Sequence, residues 1–175
     1  TGNPKGVKIP HRAVVNFIMS MSKRPGITEE DCVLSVTTIS FDISVLELFL
    51  PLSTGARVTI IPYEHIIDGG LLLNAIEKFG VTFMQATPST WRLLIGAGWN
   101  RDKRIKALCG GEAMPPDLMP QLLERASSVW NMYGPTETTV WSTCHQFLHA
   151  KESISIGKPI ANTQVYILDR FFNPV

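Results

Sequence analysis

Three short segments of this sequence hold residue types suited to phosphate, cations and ammonium groups. Thr1-Gly2-Asn3-Pro4-Lys5-Gly6 sets two glycines and a hydroxyl beside a lysine. Glycine lets backbone N–H groups approach an anion, and lysine adds a point charge. The spacing is not that of a Walker loop, so the segment reads as either a phosphate loop or a surface turn. Asn131-Met132-Tyr133-Gly134-Pro135-Thr136-Glu137 offers an aromatic plane for a base, a tight turn, a hydroxyl for a phosphate oxygen and a carboxylate for a hard cation such as Mg²⁺. Its plain alternative is a Gly-Pro turn after a strand. Phe41-Asp42-Ile43-Ser44 opens an apolar helix. Asp42 there either caps the helix or pairs with an ammonium group in a semi-enclosed pocket.

Other reactive types read as structural. His145 and His149 have metal-like spacing, but no Cys or carboxylate stands at a fitting offset, and the segment runs from strand into loop. Cys32, Cys109 and Cys144 show no C-x-x-C spacing and cannot all pair, so they read as buried thiols in a reducing compartment, the cytoplasm. His11 and Arg12 read as surface or capping groups at the start of a helix.

These groups need a scaffold, and 175 residues suffice for one domain or part of one. Hydrophobic residues make up 45% and charged residues 18%, which excludes intrinsic disorder. The 16 Lys and Arg nearly cancel the 15 Asp and Glu, and no like-charge run exceeds Glu29-Glu30-Asp31, so nucleic acid is not an expected partner. No apolar run approaches the ~20 residues of a membrane span, and no signal peptide is evident. The chain begins inside a Gly-rich loop and stops just after a strand-like run and a turn. It is therefore expected to be an internal fragment, residues 1–175 of a domain truncated at both ends.

Apolar periodicity alternates between helix and strand. It predicts helices over 10–22, 43–50 (ending near Pro51 and Gly55), 70–79 with Gly80 at its C-terminus, one capped by Thr87 and opened by Pro88, and one started by Pro116. It predicts strands over 32–37, 57–61, 81–86, 106–109, 128–132 and 165–168. The expected fold is layered α/β with a mainly parallel sheet. Ligands in such sheets sit at the carboxyl ends of strands. The polar, Gly-bearing segments after Cys109 and Met132 fall there.

In this order and spacing, TGNPKGV (1–7), FDISVLELFLPLSTGA (41–56), GGEAMP (110–115), NMYGPTETTVW (131–141) and IGKPIANTQVYILD (156–169) resemble the adenylation domains of nonribosomal peptide synthetases. Those domains belong to the AMP-binding, adenylate-forming family with acyl-CoA synthetases and luciferases. The resemblance implies that the chain is part of the large N-terminal subdomain of such an enzyme. It implies an ATP-dependent ligase that forms an aminoacyl-adenylate with Mg²⁺ and loads the phosphopantetheine thiol of a carrier domain, beside a condensation domain of the same synthetase.

By position, the resemblance places Thr1, Gly2, Lys5 and Gly6 on the phosphates. It places Gly111, Glu112, Ala113, Asn131, Tyr133, Gly134 and Thr136 around the nucleotide, and Glu137 on the metal. Lys5, Thr136 and Glu137 form the catalytic set. Asp42 would hold the substrate ammonium, which sets amino-acid enzymes apart from acyl- or aryl-CoA ligases, the alternative reading. The side-chain pocket would be Asp42, Ile43, Leu46, Gln85, Leu108, Gly110, Met132, Val140 and Trp141. Its bulk resembles the set the family uses for glycine, with alanine second. The first half of the phosphate loop, the ribose-binding aspartate and the C-terminal catalytic lysine of the family are not in the sequence, so the chain alone is expected to be inactive. A non-catalytic binding module with this fold is a further alternative, against which Lys5, Thr136 and Glu137 count.

Overall fold

The computed structural model describes residues 6–100 and 104–175. Its elements are α1 (His11–Met21), β1 (Cys32–Ser35), α2 (Ser44–Thr54), β2 (Arg57–Ile60), α3 (Tyr63–Ile66), α4 (Gly69–Phe79), β3 (Phe83–Ala86), α5 (Pro88–Gly96), β4 (Lys106–Cys109), α6 (Leu118–Arg125), β5 (Ser128–Tyr133), β6 (Thr143–Phe147) and β7 (Lys158–Pro159). The strands form one seven-stranded sheet in the order β2-β1-β3-β4-β5-β6-β7. The first five run parallel, and β6 and β7 are antiparallel. The expected layered α/β fold with a mainly parallel sheet is what forms.

Alternation along each strand divides the core. Val33, Phe83, Leu108, Trp130 and Met132 face one side and pack with Phe17 and Met21 of α1 and Leu46 and Leu50 of α2. Leu34, Met84, Ala107 and Val129 face the other side and pack with α4, α5 and α6 through Leu72, Ile76, Trp91, Leu94 and Leu122. The chain goes from β1 outward to β2, then returns past β1 to β3. Strand order therefore reverses at β1, and the crevice beyond the carboxyl ends of β1 and β3 is the switch point where such sheets bind ligands.

Local chemistry explains most boundaries. Asp68 Oδ1 accepts the Leu71 N–H (2.9 Å) at the start of α4, Thr87 Oγ1 accepts the Thr90 N–H (3.4 Å) at the start of α5, and Pro88 opens α5. Gly80 ends α4 in the left-handed region at φ 63°. The expected helix over 43–50 runs on through Pro51. The Pro51 carbonyl accepts the Ala56 N–H (2.9 Å), and the helix ends only at Gly55, φ 78°. β1 stops short of the expected residue 37 because the Val36 and Thr37 amides turn from the ladder to a side chain, Glu47. α6 begins at Leu118 rather than at Pro116, after a turn in which the Leu118 N–H bonds the Pro115 carbonyl (3.0 Å).

The expected strand over 165–168 does not form. Val165, Tyr166, Ile167 and Leu168 are exposed, and the only ladder contact among the described residues there is an isolated bridge from Leu168 to Pro174. An apolar run has strand propensity, but a strand needs an edge to pair with. Among the described residues no helix is long and apolar enough to cross a membrane.

Candidate functional site

Alternate residues of neighbouring parallel strands meet on one sheet face beneath α2. Gln85 of β3 registers with Leu108 of β4, and Leu108 with Trp130 of β5. Ile43 and Leu46 of the α2 region cover this face, and Met132, Val140 and Trp141 complete the cluster. Trp141 is 1% exposed and Gln85 is fully buried. Of the predicted pocket residues, Ile43, Leu46, Gln85, Leu108, Met132, Val140 and Trp141 therefore come together, as close-packed side chains.

The polar atoms of Gln85 are all committed. Nε2 donates to the Ile43 carbonyl (2.9 Å) and to Glu47 Oε1 (3.1 Å), and Oε1 accepts the Trp141 indole N–H (2.7 Å). Through these bonds Gln85 braces Trp141. Gly110 lies against the indole. A Cβ placed on it would stand 2.6 Å from Trp141 Cη2 and 2.8 Å from the Met132 carbonyl oxygen. Not even a methyl group fits there.

Trp141 is aimed by a strained turn. Thr136–Thr138 form one 3-10 turn, and the next two residues have left-handed backbones, Thr139 at φ 71° and Val140 at φ 63°. Both are β-branched, a conformation costing ~1–3 kcal/mol per residue. The turn is held down by the Ser142 N–H to the Tyr133 carbonyl (2.8 Å) and by the Thr138–Ser142 hydroxyl pair. Gly134 makes the approach possible, since a Cβ there would meet the Val140 oxygen at 2.5 Å and Trp141 Cα at 2.7 Å.

Beside this packed cluster lies a cavity of about 380 Å³, lined by Gly111, Glu112, Ala113, Asn131, Tyr133 and Gly134 together with Met114, Met132, Trp141, Ile154 and Ile156. It collects six of the predicted nucleotide residues at the carboxyl ends of β4 and β5. Tyr133 shows half its surface, and Asn131 donates through Nδ2 to the Ser155 carbonyl (2.8 Å). Thr136 and Glu137 lie outside the lining, exposed on the 3-10 turn. The Glu137 carboxylate has no partner among the described residues, which fits one oxygen donor for a hard cation whose other donors would be phosphate and water. Among the described residues no three His, Cys, Asp or Glu converge as a metal cage. Thr1, Gly2 and Lys5 lie outside the described residues, and Gly6 is exposed. A second cavity, about 420 Å³, opens beside Phe41, Ile43, Thr37 and Thr87 and shares only Ile43 with the predicted set.

Asp42 does not cap α2. Ile43 takes the N-cap position, no side chain bonds there, and Asp42 contributes only its carbonyl, to the Val45 N–H (3.0 Å). Its half-buried carboxylate has no partner among the described residues. The cysteines are free and buried, and burial with the nearby Glu112 charge pushes the Cys109 thiol up to about 12, far from a nucleophile. His11 and Arg12 are exposed at the start of α1. His145 meets a carboxylate that spacing did not reveal: Nε2 lies 3.2 Å from Glu152 Oε2, brought there as Oε1 accepts the Leu148 and His149 amides. Glu47, which joins the site to β1, was also missed. An acid inside the apolar run ISVLELFL was the available signal.

Comparison with known proteins gives the family. The sequence model of the AMP-binding enzyme family matches residues 1–175. A dimodular nonribosomal peptide synthase of Bacillus subtilis is 44% identical over 176 residues, covering 100% of this chain and 7% of the synthase. A PKS-NRPS hybrid synthetase of Aspergillus candidus is 42% identical, covering 100% of this chain and 7% of the synthetase. A crystal structure of a four-domain nonribosomal peptide synthetase bound to AMP and glycine superimposes with a TM-score of 0.94 at 43% identity, over 100% of this chain and 13% of that one. The chain thus spans a small part of the relatives it matches.

Proposed function

Because the chain belongs to the AMP-binding enzyme family and is closely related to the adenylation domains of nonribosomal peptide synthetases, we propose that it supplies the nucleotide and amino-acid site of such a domain, and that the amino acid is glycine. The observation that carries this reading is the filled pocket. Ile43, Leu46, Leu108, Met132, Val140 and Trp141 are buried against one another, and Gln85 keeps no polar atom free for a substrate side chain. Space for hydrogen is consistent with that packing, and a methyl is the next size. The structure bound to AMP and glycine supports the same assignment by likeness.

In the reaction so proposed, an oxygen of the substrate carboxylate bonds to the α-phosphorus of ATP as the bond to pyrophosphate breaks. Such a displacement needs positioning and charge neutralisation more than a strong base. Asp42 holds the ammonium and leaves the carboxylate free to attack. Gly111, Glu112 and Ala113 receive the adenine, Tyr133 stacks on it, and Asn131 and Gly134 shape the wall. Thr136 donates its hydroxyl to the α-phosphate, and Glu137 holds Mg²⁺, which supplies positive charge at the phosphates. Thr1, Gly2, Lys5 and Gly6 would contact the phosphates. The thiol of a carrier domain's phosphopantetheine then gives up its proton and bonds to the acyl carbon as the bond to AMP breaks and AMP leaves, and the thioester serves a condensation domain of the same synthetase. The buried free thiols suit a reducing cytoplasm. The unpartnered Asp42 carboxylate favours an amino acid over the amine-free acid of an acyl- or aryl-CoA ligase.

The nucleotide half has its own test. In the synthetase that carries this chain, Glu137→Ala is expected to lower MgATP-dependent pyrophosphate exchange by about one to two orders of magnitude, whichever amino acid is offered. Thr136→Ala is expected to cost about tenfold, as one hydrogen bond is lost. Exchange assays at varied MgATP check both. A defect whose size followed the amino acid would put these residues in the wrong half of the site.

A further inference from the structure

Glu47 is a fully buried acid with no ion-pair partner among the described residues. Five hydrogen bonds converge on it. Oε2 accepts from Ser35 Oγ, Val36 N and Thr37 N, each at 3.0 Å. Oε1 accepts from Thr37 Oγ1 at 2.6 Å and from Gln85 Nε2 at 3.1 Å. Burial raises its pKa, and the bonds from Thr37, Ser35 and Gln85 oppose that rise. Burying an acid for stability alone is poor economy, because apolar packing does as well or better. Toward all five of these donors its carboxylate is the acceptor.

Together with the Ile43 carbonyl, which accepts from the same Nε2 at 2.9 Å, Glu47 decides which way the Gln85 amide points. With Nε2 toward Glu47 Oε1, its carbonyl must face the other way, where it accepts the Trp141 indole N–H at 2.7 Å. A flipped amide would set its oxygen against the carboxylate and the Ile43 carbonyl and its NH₂ against the indole N–H, three repulsions at once. The same Nε2 also holds the Ile43 carbonyl, next to Asp42. Four segments, the end of β1, the start of α2, β3 and the turn before β6, are thereby tied through one carboxylate.

We infer that Glu47 is a positioning residue for the substrate pocket: by orienting the Gln85 amide it holds the Trp141 indole against Gly110 and so sets the size of side chain the pocket admits. This rests on the reading of the site as an amino-acid pocket. Glu47 touches neither substrate nor nucleotide in that reading, and its effect passes through Gln85. Glu47→Gln puts an NH₂ among the Val36, Thr37 and Gln85 donors and weakens one of the two acceptor contacts that orient the Gln85 amide, leaving the Ile43 carbonyl. Thr37→Val is milder, since it removes only the 2.6 Å bond to the oxygen that Gln85 shares.

The test uses the synthetase that carries this chain and measures kcat/KM for glycine and for alanine by pyrophosphate exchange, with KM for MgATP. Glu47→Gln is expected to raise the alanine-to-glycine ratio about tenfold and Thr37→Val about threefold, for bonds of ordinary strength. KM for MgATP should stay within about twofold, and Glu47→Gln should add nothing to the ratio in a Gln85→Leu background. Equal loss with both amino acids, or an unchanged ratio, would reduce Glu47 to a structural group and overturn the inference. If Glu47→Gln gives no soluble enzyme, the Thr37→Val ratio decides alone. A wild-type enzyme that ignores glycine for a large or amine-free acid would instead overturn the pocket reading. A shift in MgATP alone would move the role of Glu47 to the nucleotide and equally refute the inference.

Discussion

Asp42→Asn in the synthetase that carries this chain is expected to lower kcat/KM for its amino acid by between about thirtyfold and a few thousandfold. The substitution keeps the shape of the side chain and removes its charge. Removing one partner of a desolvated charge pair costs ~2–5 kcal/mol, because the remaining charge is left buried without compensation. The bland alternative for Asp42, a helix cap, is excluded by geometry: Ile43 holds that position and no side chain caps the helix. The loss should therefore appear in activity and hardly in stability. The measurement is pyrophosphate exchange with glycine and with an amine-free acid of similar size, alongside a melting curve. An unchanged kcat/KM for glycine would show that the carboxylate is not the anchor.

Trp141→Ala is expected to have two large effects of different kinds. Removing a side chain that is 1% exposed leaves a cavity, and Trp→Ala in a core costs ~3–5 kcal/mol of stability. Gln85 Oε1 also loses its donor, a further ~1–3 kcal/mol where no water replaces it. In the enzyme that survives, alanine and larger amino acids should gain relative to glycine. A pocket rejects a larger substrate by overlap, whereas one missing methylene is worth only ~1–3 kcal/mol. Preference for glycine must then come from bulk that blocks competitors, and Trp141 is the largest group in the cluster. Trp141→Phe separates the parts, keeping most of the bulk while losing the indole N–H. Exchange across an amino-acid panel checks this, and an unchanged profile in Trp141→Ala would take the indole out of the pocket.

The legible part of this protein lay in features whose physics is local. Strands such as 106–109 and helices such as 70–79 declare themselves by period, and Asp68, Thr87 and Gly80 show why they start or stop. The segments after β4 and β5 could be assigned to one end of the sheet because a parallel sheet puts all its carboxyl ends together. Order was less legible where partners lie far apart in the chain. Residues 165–168 have the composition of a strand but join no strand of the sheet, making only the isolated Leu168–Pro174 bridge. Pro51 sits inside α2 although it has no N–H to donate back along the helix, which runs on to Gly55.

Candidate site residues could be named from the sequence, but their wiring could not. Gln85 and Trp141 could be named as pocket residues, but their 2.7 Å bond depends on β3 and the turn after β5 meeting across 56 positions. The strained pair Thr139 and Val140 is likewise a product of packing, since β-branched residues avoid such backbones on their own. Glu47 was passed over because it sits in a segment read for its apolar face. Its role appears only when the ends of β1 and β3 are brought to it.

The central claim, that this pocket admits glycine and excludes bulk, is tested most directly by competition. The synthetase that carries this chain is given MgATP and an equimolar mixture of the proteinogenic amino acids, and hydroxylamine traps whichever acyl group is activated. Mass spectrometry then reads the hydroxamates. The predicted result is glycine hydroxamate in clear excess, alanine hydroxamate as a minor product, and those of valine, leucine and phenylalanine at background. A dominant hydroxamate from a large side chain would contradict the account.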